Sequence, residues 1–248
     1  MRDVINMAWI IAKREFAGYF ATPLAAVFLT IFVAMTGALA FYIGGFYERG
    51  QADLQPFFAY HPWLYLFLVP AVAMRLWAEE RKSGTIELLM TLPVAPAEAV
   101  LGKFVAAWAF IGLALALTFP MWLTANYLGD PDNGVIAASY LGSFLLAGAF
   151  LAIGSFISAL TKNQVIAFIL TATVCFFFVL SGTEMVQNTL RSWLPEFAVS
   201  ALTSMSFLSH YEQITRGVVS LHSLIFFASL IAFALFGNVI AIDQKKAA

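Results

Sequence analysis

The stretch WAEERKSGTIELLMTLPV, Trp77 to Val94, places four consecutive charged residues, Glu79 to Lys82, between two apolar runs. The run before it, Leu54 to Met74, contains no Asp, Glu, Lys or Arg. A helix needs roughly 20 apolar residues to cross a bilayer, so this run is long enough for one crossing. The stretch therefore has the pattern of a water-exposed connection between two membrane helices.

The composition of the whole chain is that of a membrane protein. Of its 248 residues, 62% are hydrophobic and 11% are charged, which is more apolar surface than one water-soluble core could hide. The alternation of a transmembrane β-barrel strand is absent, so we predict a single all-α integral membrane domain over residues 1–248. Six transmembrane helices are expected in the gaps between charged residues: Phe16 to Tyr47, Leu54 to Met74, Phe104 to Gly129, Asn133 to Thr161, Asn163 to Thr183 and Gly217 to Ile242.

The basic residues predict the orientation, because short loops rich in Lys and Arg stay in the cytoplasm. The termini and the connections after the second and fourth predicted helices carry ten of the 13 basic residues. The other side carries only Arg49, Arg191 and Arg216. Both termini and the 75–103 segment, which connects the second and third helices, are therefore expected in the cytoplasm.

Residues 1–22 are predicted to form an amphipathic helix at the membrane interface. One arc of the helical wheel is polar and the opposite side is apolar. Thr22-Pro23 then ends this helix and begins the first crossing. A cleaved signal peptide is the alternative, but the apolar run continues past a small-residue motif at Ala40 as far as Tyr47. Glu15 lies off the polar arc, and the sequence offers no reason for it. The polar arc consists of Arg2, Asp3, Asn6, Lys13 and Arg14.

The predicted crossings contain few reactive side chains. Apart from tyrosines, their ionisable groups are His61, Cys175 and His222, whereas secondary carriers usually need carboxylates or paired charges at membrane depth. The single cysteine cannot form an internal disulfide, and the histidines lack metal-ligand spacing, so no metal site is expected. A phosphate-binding loop and a catalytic constellation are also absent, so we expect no nucleotide site, no enzyme activity and no nucleic acid partner.

Glycines in the fourth predicted helix follow the small-xxx-small spacing that lets membrane helices approach closely. The sequence therefore predicts tight packing of this helix, either within one bundle or at a subunit interface. The three candidate packing positions are Gly142, Gly148 and Gly154.

The 75–103 segment is predicted to divide into three helical pieces. The second transmembrane helix continues through Arg81 and breaks at Ser83-Gly84, a helix-terminating pair. Further along, Pro96 and Glu98 have the spacing of a helix start that leads into the third crossing.

Between these pieces lies a short helix of about two turns, which ends at Pro93. Thr85 is suited to cap it, and Glu87 lies in its first turn, where the helix dipole favours an anion. A helix this short is marginal alone, yet apolar residues such as Leu88 crowd it. It therefore lies against lipid headgroups or inserts into a groove on another protein.

The 184–216 segment, which connects the fifth and sixth predicted helices, is too long for a tight turn and mixes apolar with polar residues. We predict short helices that re-enter the outer leaflet and act as a lid between two subunits. A solvated loop is the alternative. The candidate lid residues are Trp193, Phe197, His210 and Arg216.

Four stretches carry a resemblance to a known family. In order along the chain they are AKREFAGYFATPLA, EERKSGTIELLMTLPVAPAEAVLGKF, SALTKNQVIAF and SHYEQITRGVV. Together they resemble the permease subunits of ABC type-two transporters, especially the gliding-motility (GldF-like) branch. The resemblance covers essentially the whole chain, and the second stretch is its most specific part.

The resemblance implies that the short helix of the 75–103 segment is a coupling helix that docks on a cytoplasmic ATPase. ATP and Mg²⁺ would be bound by that ATPase, and this chain would bind no cofactor. It also implies two permease subunits, either two copies or this chain with a homologue, and two ATPase subunits in a bacterial cytoplasmic (inner) membrane. An accessory membrane protein with an extracytoplasmic domain is a further expected partner. The residues assigned to the ATPase interface are Glu79, Glu80, Arg81, Gly84, Thr85, Glu87 and Leu88.

Three functions remain open at this point. The first is an ATP-driven exporter or force-transmitting subunit, as the resemblance implies. The second is a structural membrane anchor that moves no substrate, and the third is a channel or secondary carrier, which the lack of intramembrane charge disfavours.

Overall fold

The computed structural model describes residues 2–86, 94–193 and 195–246, and every regular element in these ranges is helical. The all-α prediction is thus confirmed for the described residues. We number the helices α1 (Arg2–Phe20), α2 (Pro23–Ala38, continued by a π-helical turn over Leu39–Ile43), α3 (Gln55–Ala59), α4 (His61–Ala73), α5 (Arg75–Ser83), α6 (Pro96–Ala116), α7 (Phe119–Leu128), α8 (Asn133–Leu160), α9 (Gln164–Leu180), α10 (Glu184–Arg191), α11 (Glu196–Ser204), α12 (Phe207–Thr215) and α13 (Leu221–Lys246).

Four stretches of the described chain are long and apolar enough to cross a membrane. They coincide with the first, third, fourth and sixth predicted crossings. The second and fifth correspond to α4 and α9, which have 13 and 17 residues. At 1.5 Å per residue these helices measure about 20 and 26 Å, less than the roughly 30 Å of hydrocarbon, so six crossings stay a prediction. The four stretches are Ala25–Ile43, Pro96–Leu128, Asn133–Leu160 and Leu221–Gln244.

The helix boundaries follow local sequence signals. α2 and α6 each begin with a proline, Pro23 and Pro96. A backbone N–H group at this position has no acceptor within the helix, so proline can stand there without loss of a hydrogen bond. The Glu98 carboxylate accepts a 3.0 Å hydrogen bond from the Ala95 N–H at the N-cap of α6. The predicted helix starts at Pro23 and Pro96 are therefore confirmed.

Helix α8 is the centre of the bundle and packs against α4, α5, α6, α9, α12 and α13. In its most apolar window 78% of the residues are buried, whereas the figure for Ala25–Ile43 is 22%. The contrast places α8 inside the bundle and α2 at its periphery. The exposed face of α2 carries large apolar side chains such as Val27 and Met35, as expected of a helix that contacts lipid.

Small residues allow α8 to approach its neighbours closely. A Cβ atom added at Gly142 would lie 2.8 Å from Ile214, and one at Gly148 would lie 2.7 Å from the Trp108 ring. At Gly154 it would collide with Ala73 of α4. All three glycines thus pack against other helices of this chain.

The two ends of α8 meet different surroundings. Its last turns lie beside α5, near the place where α1 and α6 also pack together, and we call this end of the bundle the Lys103 end. Its first half lies beside α12, and we call that end the His210 end.

Candidate functional site

The Lys103 end contains a cluster of charged side chains contributed by three helices, with a buried lysine at its centre. The Lys103 ammonium group of α6 lies 2.7 Å from the Glu80 carboxylate of α5 and 3.3 Å from the Glu15 carboxylate of α1. Only 4% of the Lys103 side chain is exposed. One lysine therefore joins α1, α5 and α6, and we call these three residues the Lys103 cluster.

Tight packing around the cluster removes Lys103 from solvent. The Trp77 ring, itself fully buried, has its centroid 5.4 Å from the Lys103 Nζ atom. At Gly102, the residue directly before Lys103 on α6, an added Cβ atom would lie 2.7 Å from Ile11 of α1. The close approach of α1 and α6 thus depends on a glycine next to the lysine.

The charges within the cluster stabilise one another. Burial raises the pKa of the Glu15 carboxyl, but Lys103 and Arg14 outweigh it, so the pKa lies below its ordinary value. Arg14 donates a 2.9 Å hydrogen bond to the same carboxylate. Losing one partner of a buried ion pair costs about 3–5 kcal/mol, and the Glu15 and Glu80 side chains are only 25% and 22% exposed. The cluster is therefore a strong and specific connection.

A second ion pair lies at the edge of the cluster. Arg75 donates a 2.8 Å hydrogen bond to Glu79, one turn later on α5, and this bond lowers the pKa of the Glu79 carboxyl. Both side chains are partly exposed, so a pair of this kind contributes only about 0.3–0.5 kcal/mol. Together with Tyr19 and Lys103, these residues line a small cleft of about 210 Å³.

Helix α5 ends where the sequence predicts. Its last helical residue is Ser83, and Gly84 follows with φ = 76°, a left-handed conformation that glycine adopts without strain. A Cβ atom at Gly84 would meet no other atom within 4 Å, so the requirement there is conformational and not steric. The Ser83 hydroxyl lies 2.9 Å from that of Thr85.

Some of the residues assigned to an ATPase interface already form bonds within the chain, and others lie outside the described residues. Glu79 and Glu80 are paired within the chain, and the Arg81 guanidinium donates a 2.9 Å hydrogen bond to the Ala159 carbonyl at the end of α8. Glu87 and Leu88 lie outside the described residues. The contact of all these residues with a partner stays a prediction, and the geometry adds an internal role for Glu79, Glu80 and Arg81.

Sequence reasoning missed the central residues of this site. Lys103 counted only as one basic residue among several, and Glu15 had no explanation. The structure explains Glu15, because its departure from the polar arc of α1 turns it towards Lys103. The sequence signal for this cluster was therefore an acidic residue that lies off the polar arc of an amphipathic helix.

The His210 end is held by neutral hydrogen bonds. His210 is buried, and its Nε2–H group donates to the Ser204 carbonyl over 3.0 Å. The Tyr211 hydroxyl donates a 2.8 Å hydrogen bond to the Phe58 carbonyl, which attaches α12 to α3. The ring centroids of His210 and His222 lie 5.1 Å apart, a proximity that their sequence spacing did not suggest.

The other candidate lid residues are exposed. Trp193 and Phe197 have 84% and 85% of their surface accessible, and Arg216 makes a 3.5 Å ion pair with Glu212. Helices α10, α11 and α12 occupy the described part of the 184–216 segment. A polar cleft of about 340 Å³ lies among these helices and the start of α13, with His210, His222 and Arg191 in its wall.

Most of the chain matches a model of a known protein family. A family model described as ABC-2 family transporter protein matches residues 9–242 of the chain. None of the curated proteins compared with the chain matches it. The matched region contains every residue of the Lys103 cluster and all of the 184–216 segment.

Proposed function

The chain belongs to the ABC-2 family of transporter proteins, and on that premise we propose that it couples ATP hydrolysis by a separate cytoplasmic ATPase to export or to force transmission across the membrane. It is a multi-pass membrane protein, as its apolar helices and its family indicate. Membership also implies an ABC ATPase as partner in general. The proposal specifies where that partner binds and how its motion reaches the membrane helices.

The Lys103 cluster is the observation that carries this proposal. Helix α5 leads directly into the part of the 75–103 segment that we predict to dock on the ATPase. Because Lys103 joins α5 to α1 and α6, a force applied to the segment reaches three helices together. A connection by exposed ion pairs alone would give way far more easily.

The docking helix itself begins beyond Gly84 in this proposal. The Glu79 and Glu80 carboxylates already pair with Arg75 and Lys103, so they are less available to a partner than an unpaired carboxylate. Glu87 is the remaining acidic residue of the segment before Pro96, and it would face a basic group on the ATPase. Leu88 and its apolar neighbours would fill a groove there.

Six crossings with both termini in the cytoplasm complete the arrangement. α4 and α9 would span the bilayer although they are short, with α5 extending α4 beyond the membrane. Cysteine labelling tests this topology after Cys175→Ala removes the single native thiol. Ser83→Cys and Lys246→Cys should react only from the cytoplasm and Asp132→Cys only from outside. Reaction of Ser83→Cys from outside would refute the orientation.

The remaining features of the proposal follow the resemblance. The complex would contain two permeases and two ATPases in a bacterial cytoplasmic membrane, with an accessory protein of the kind found in the gliding-motility branch. ATP and Mg²⁺ would bind to the ATPase. The 184–216 segment would form an outer lid, and the exposed Trp193 and Phe197 side chains suit the outer leaflet.

Charge reversal at Glu87 tests the proposed docking. We expect Glu87→Lys to purify as a permease but to recover at least tenfold less of its ABC ATPase in lipid-free detergent, because repulsion replaces an interfacial ion pair. Glu184→Lys is the matched control, since it makes the same change at the start of α10. Undiminished recovery and unchanged ATPase stimulation with Glu87→Lys would refute the coupling helix. Wild-type permease that binds the ATPase without stimulating it would indicate a structural anchor.

A further inference from the structure

The junction between α4 and α5 lacks a capping side chain of its own. The two helices are separated only by Met74, which occupies the N-cap position of α5. A methionine side chain cannot accept the backbone hydrogen bonds that Ser, Thr, Asp or Asn would accept there. The first N–H groups of α5 must therefore find acceptors elsewhere, because an apolar environment offers no water.

Ser158 of α8 provides the missing acceptor. Its Oγ atom accepts hydrogen bonds from the backbone N–H groups of Trp77 and Ala78, over 3.2 and 3.0 Å. Its own hydroxyl proton is donated to the Met74 carbonyl over 3.0 Å. The two accepted bonds lie in fully buried surroundings, since Ser158, Trp77 and Ala78 have no exposed surface. Ser158 thus acts as an N-cap contributed by a different helix.

A second group of hydrogen bonds, centred on Ser155 of α8, leaves one buried acceptor without a donor. Ser155 Oγ accepts hydrogen bonds from the Trp77 indole over 3.2 Å and from the Asn238 amide over 2.7 Å. The Oδ1 atom of Asn238 is buried and has no hydrogen-bond partner among the described residues. Buried polar atoms without a partner are rare, so hydrogen bonding on this side of α8 is not saturated.

We propose that the Met74 junction is a hinge, and that Ser158 is the positioning residue that holds α5 at its observed angle to α4. Ser158 fixes the angle because its single hydroxyl bonds to the Met74 carbonyl at the break and to the Ala78 N–H after it. When these bonds are released together with the bonds from Trp77 to Ser155 and from Arg81 to Ala159, α5 can turn relative to α4 and carry the rest of the 75–103 segment with it. This inference rests on the proposed function for its purpose, but the hinge itself can be measured on the permease alone.

The test is a distance measurement between two spin labels, one on each side of the hinge. Phe67 of α4 and Lys82 of α5 are exposed, and 15 residues of straight helix would separate their Cα atoms by about 22 Å. Labels are attached to Phe67→Cys and Lys82→Cys in a Cys175→Ala background, in lipid nanodiscs. We expect one narrow distance distribution for the otherwise native chain.

Ser158→Ala should add a second distance. Loss of an N-cap changes a helix equilibrium by about five- to tenfold, so the population of molecules with the second distance, relative to those with the first, should rise by that factor. Ser143→Ala is the matched control, because Ser143 is also fully buried on α8 and bonds to Tyr65 over 2.7 Å, away from the hinge.

Two results would overturn the hinge. One is an unchanged distribution for Ser158→Ala, and the other is an equal change for Ser143→Ala. If Ser158→Ala yields too little folded protein, amide exchange of Trp77 and Ala78 in the native chain decides the question. We expect protection at least a hundredfold above that of exposed amides, and exchange at the exposed rate would refute the cap. If the native permease does not bind the ATPase, the proposed function is refuted, whereas the distances measured on the permease alone still decide the hinge.

Discussion

The Lys103 end and the His210 end of the bundle are held together by different chemistry. At the Lys103 end, three helices share one buried ammonium group and two carboxylates. At the His210 end, neutral groups form single hydrogen bonds, such as the one from Tyr211 to the Phe58 carbonyl. Losing one partner of a buried ion pair costs several times more than losing a neutral hydrogen bond. Helices α1, α5 and α6 should therefore move together as one body, and the His210 end should yield first.

The largest expected effect comes from breaking the Lys103 cluster. Lys103→Met keeps most of the apolar stem but leaves the Glu15 and Glu80 carboxylates without their shared cation. We expect a loss of about 3–5 kcal/mol in the free energy of unfolding, measured by thermal or denaturant unfolding in detergent. Lys82→Met is the control, because Lys82 is exposed on the same segment. Equal stability of the two variants would contradict the role of the cluster.

A smaller loss is expected where α8 packs against α4. Gly154→Ala introduces a Cβ atom that would collide with Ala73, so we expect a loss of about 1–3 kcal/mol from overpacking. Gly37→Ala provides the comparison within α2, where the added atom would have its nearest neighbour 4.0 Å away. That change should be neutral or stabilise by about 0.5–1 kcal/mol, because alanine favours the helix. Matching melting temperatures for the two alanine variants would show that α8 is not closely packed.

At the His210 end, Tyr211→Phe removes the hydroxyl that bonds to Phe58. The expected loss is about 1 kcal/mol, the usual size for one neutral hydrogen bond. Tyr127→Phe is the control, because Tyr127 is 90% exposed. A loss as large as that of Lys103→Met would remove the distinction between the two ends.

The His210 end should also respond to mild acid, with the smallest effect. Burial and the neighbouring His222 lower the pKa of His210 below its ordinary value of 6.5, although its bond to Ser204 opposes them. The neutral ring is thus favoured in the folded state, and its stabilising effect is fully present above pH 6.5 and is lost as the pH falls from there through the folded pKa. Melting temperatures of the native chain and His210→Gln should diverge in that window. Parallel pH profiles would disprove this dependence.

Local signals predicted much of the fold. The proline starts of α2 and α6 and the glycine end of α5 depend on nearby residues, and all three appear where the sequence indicates them. Counting the gaps between charges was less informative about α4. The structure divides that gap at Tyr60 and breaks the predicted continuation through Arg81 at Met74, and a count of apolar residues does not show where a helix breaks.

The candidate site was harder to predict, because its contacts join residues far apart in the sequence. Glu15, Glu80 and Lys103 lie on three different helices, and periodicity indicates a face but not its partner. The Ser158 hydroxyl is a similar case, since its bonds to α5 depend on the tertiary fold. Predicting such contacts would have required the arrangement of the helices around α8.

The central claim is that the 75–103 segment contacts the ATPase, and site-specific photo-crosslinking tests it most directly. A photoreactive residue is placed in turn at Thr85, Glu87 and Leu88, and at Tyr127 and Met185 as exposed control positions elsewhere. We predict cross-links to the ABC ATPase from the three segment positions and none from the two controls, with mass spectrometry identifying the product. The absence of ATPase cross-links from the segment, or equal yields from Tyr127 and Met185, would contradict the account.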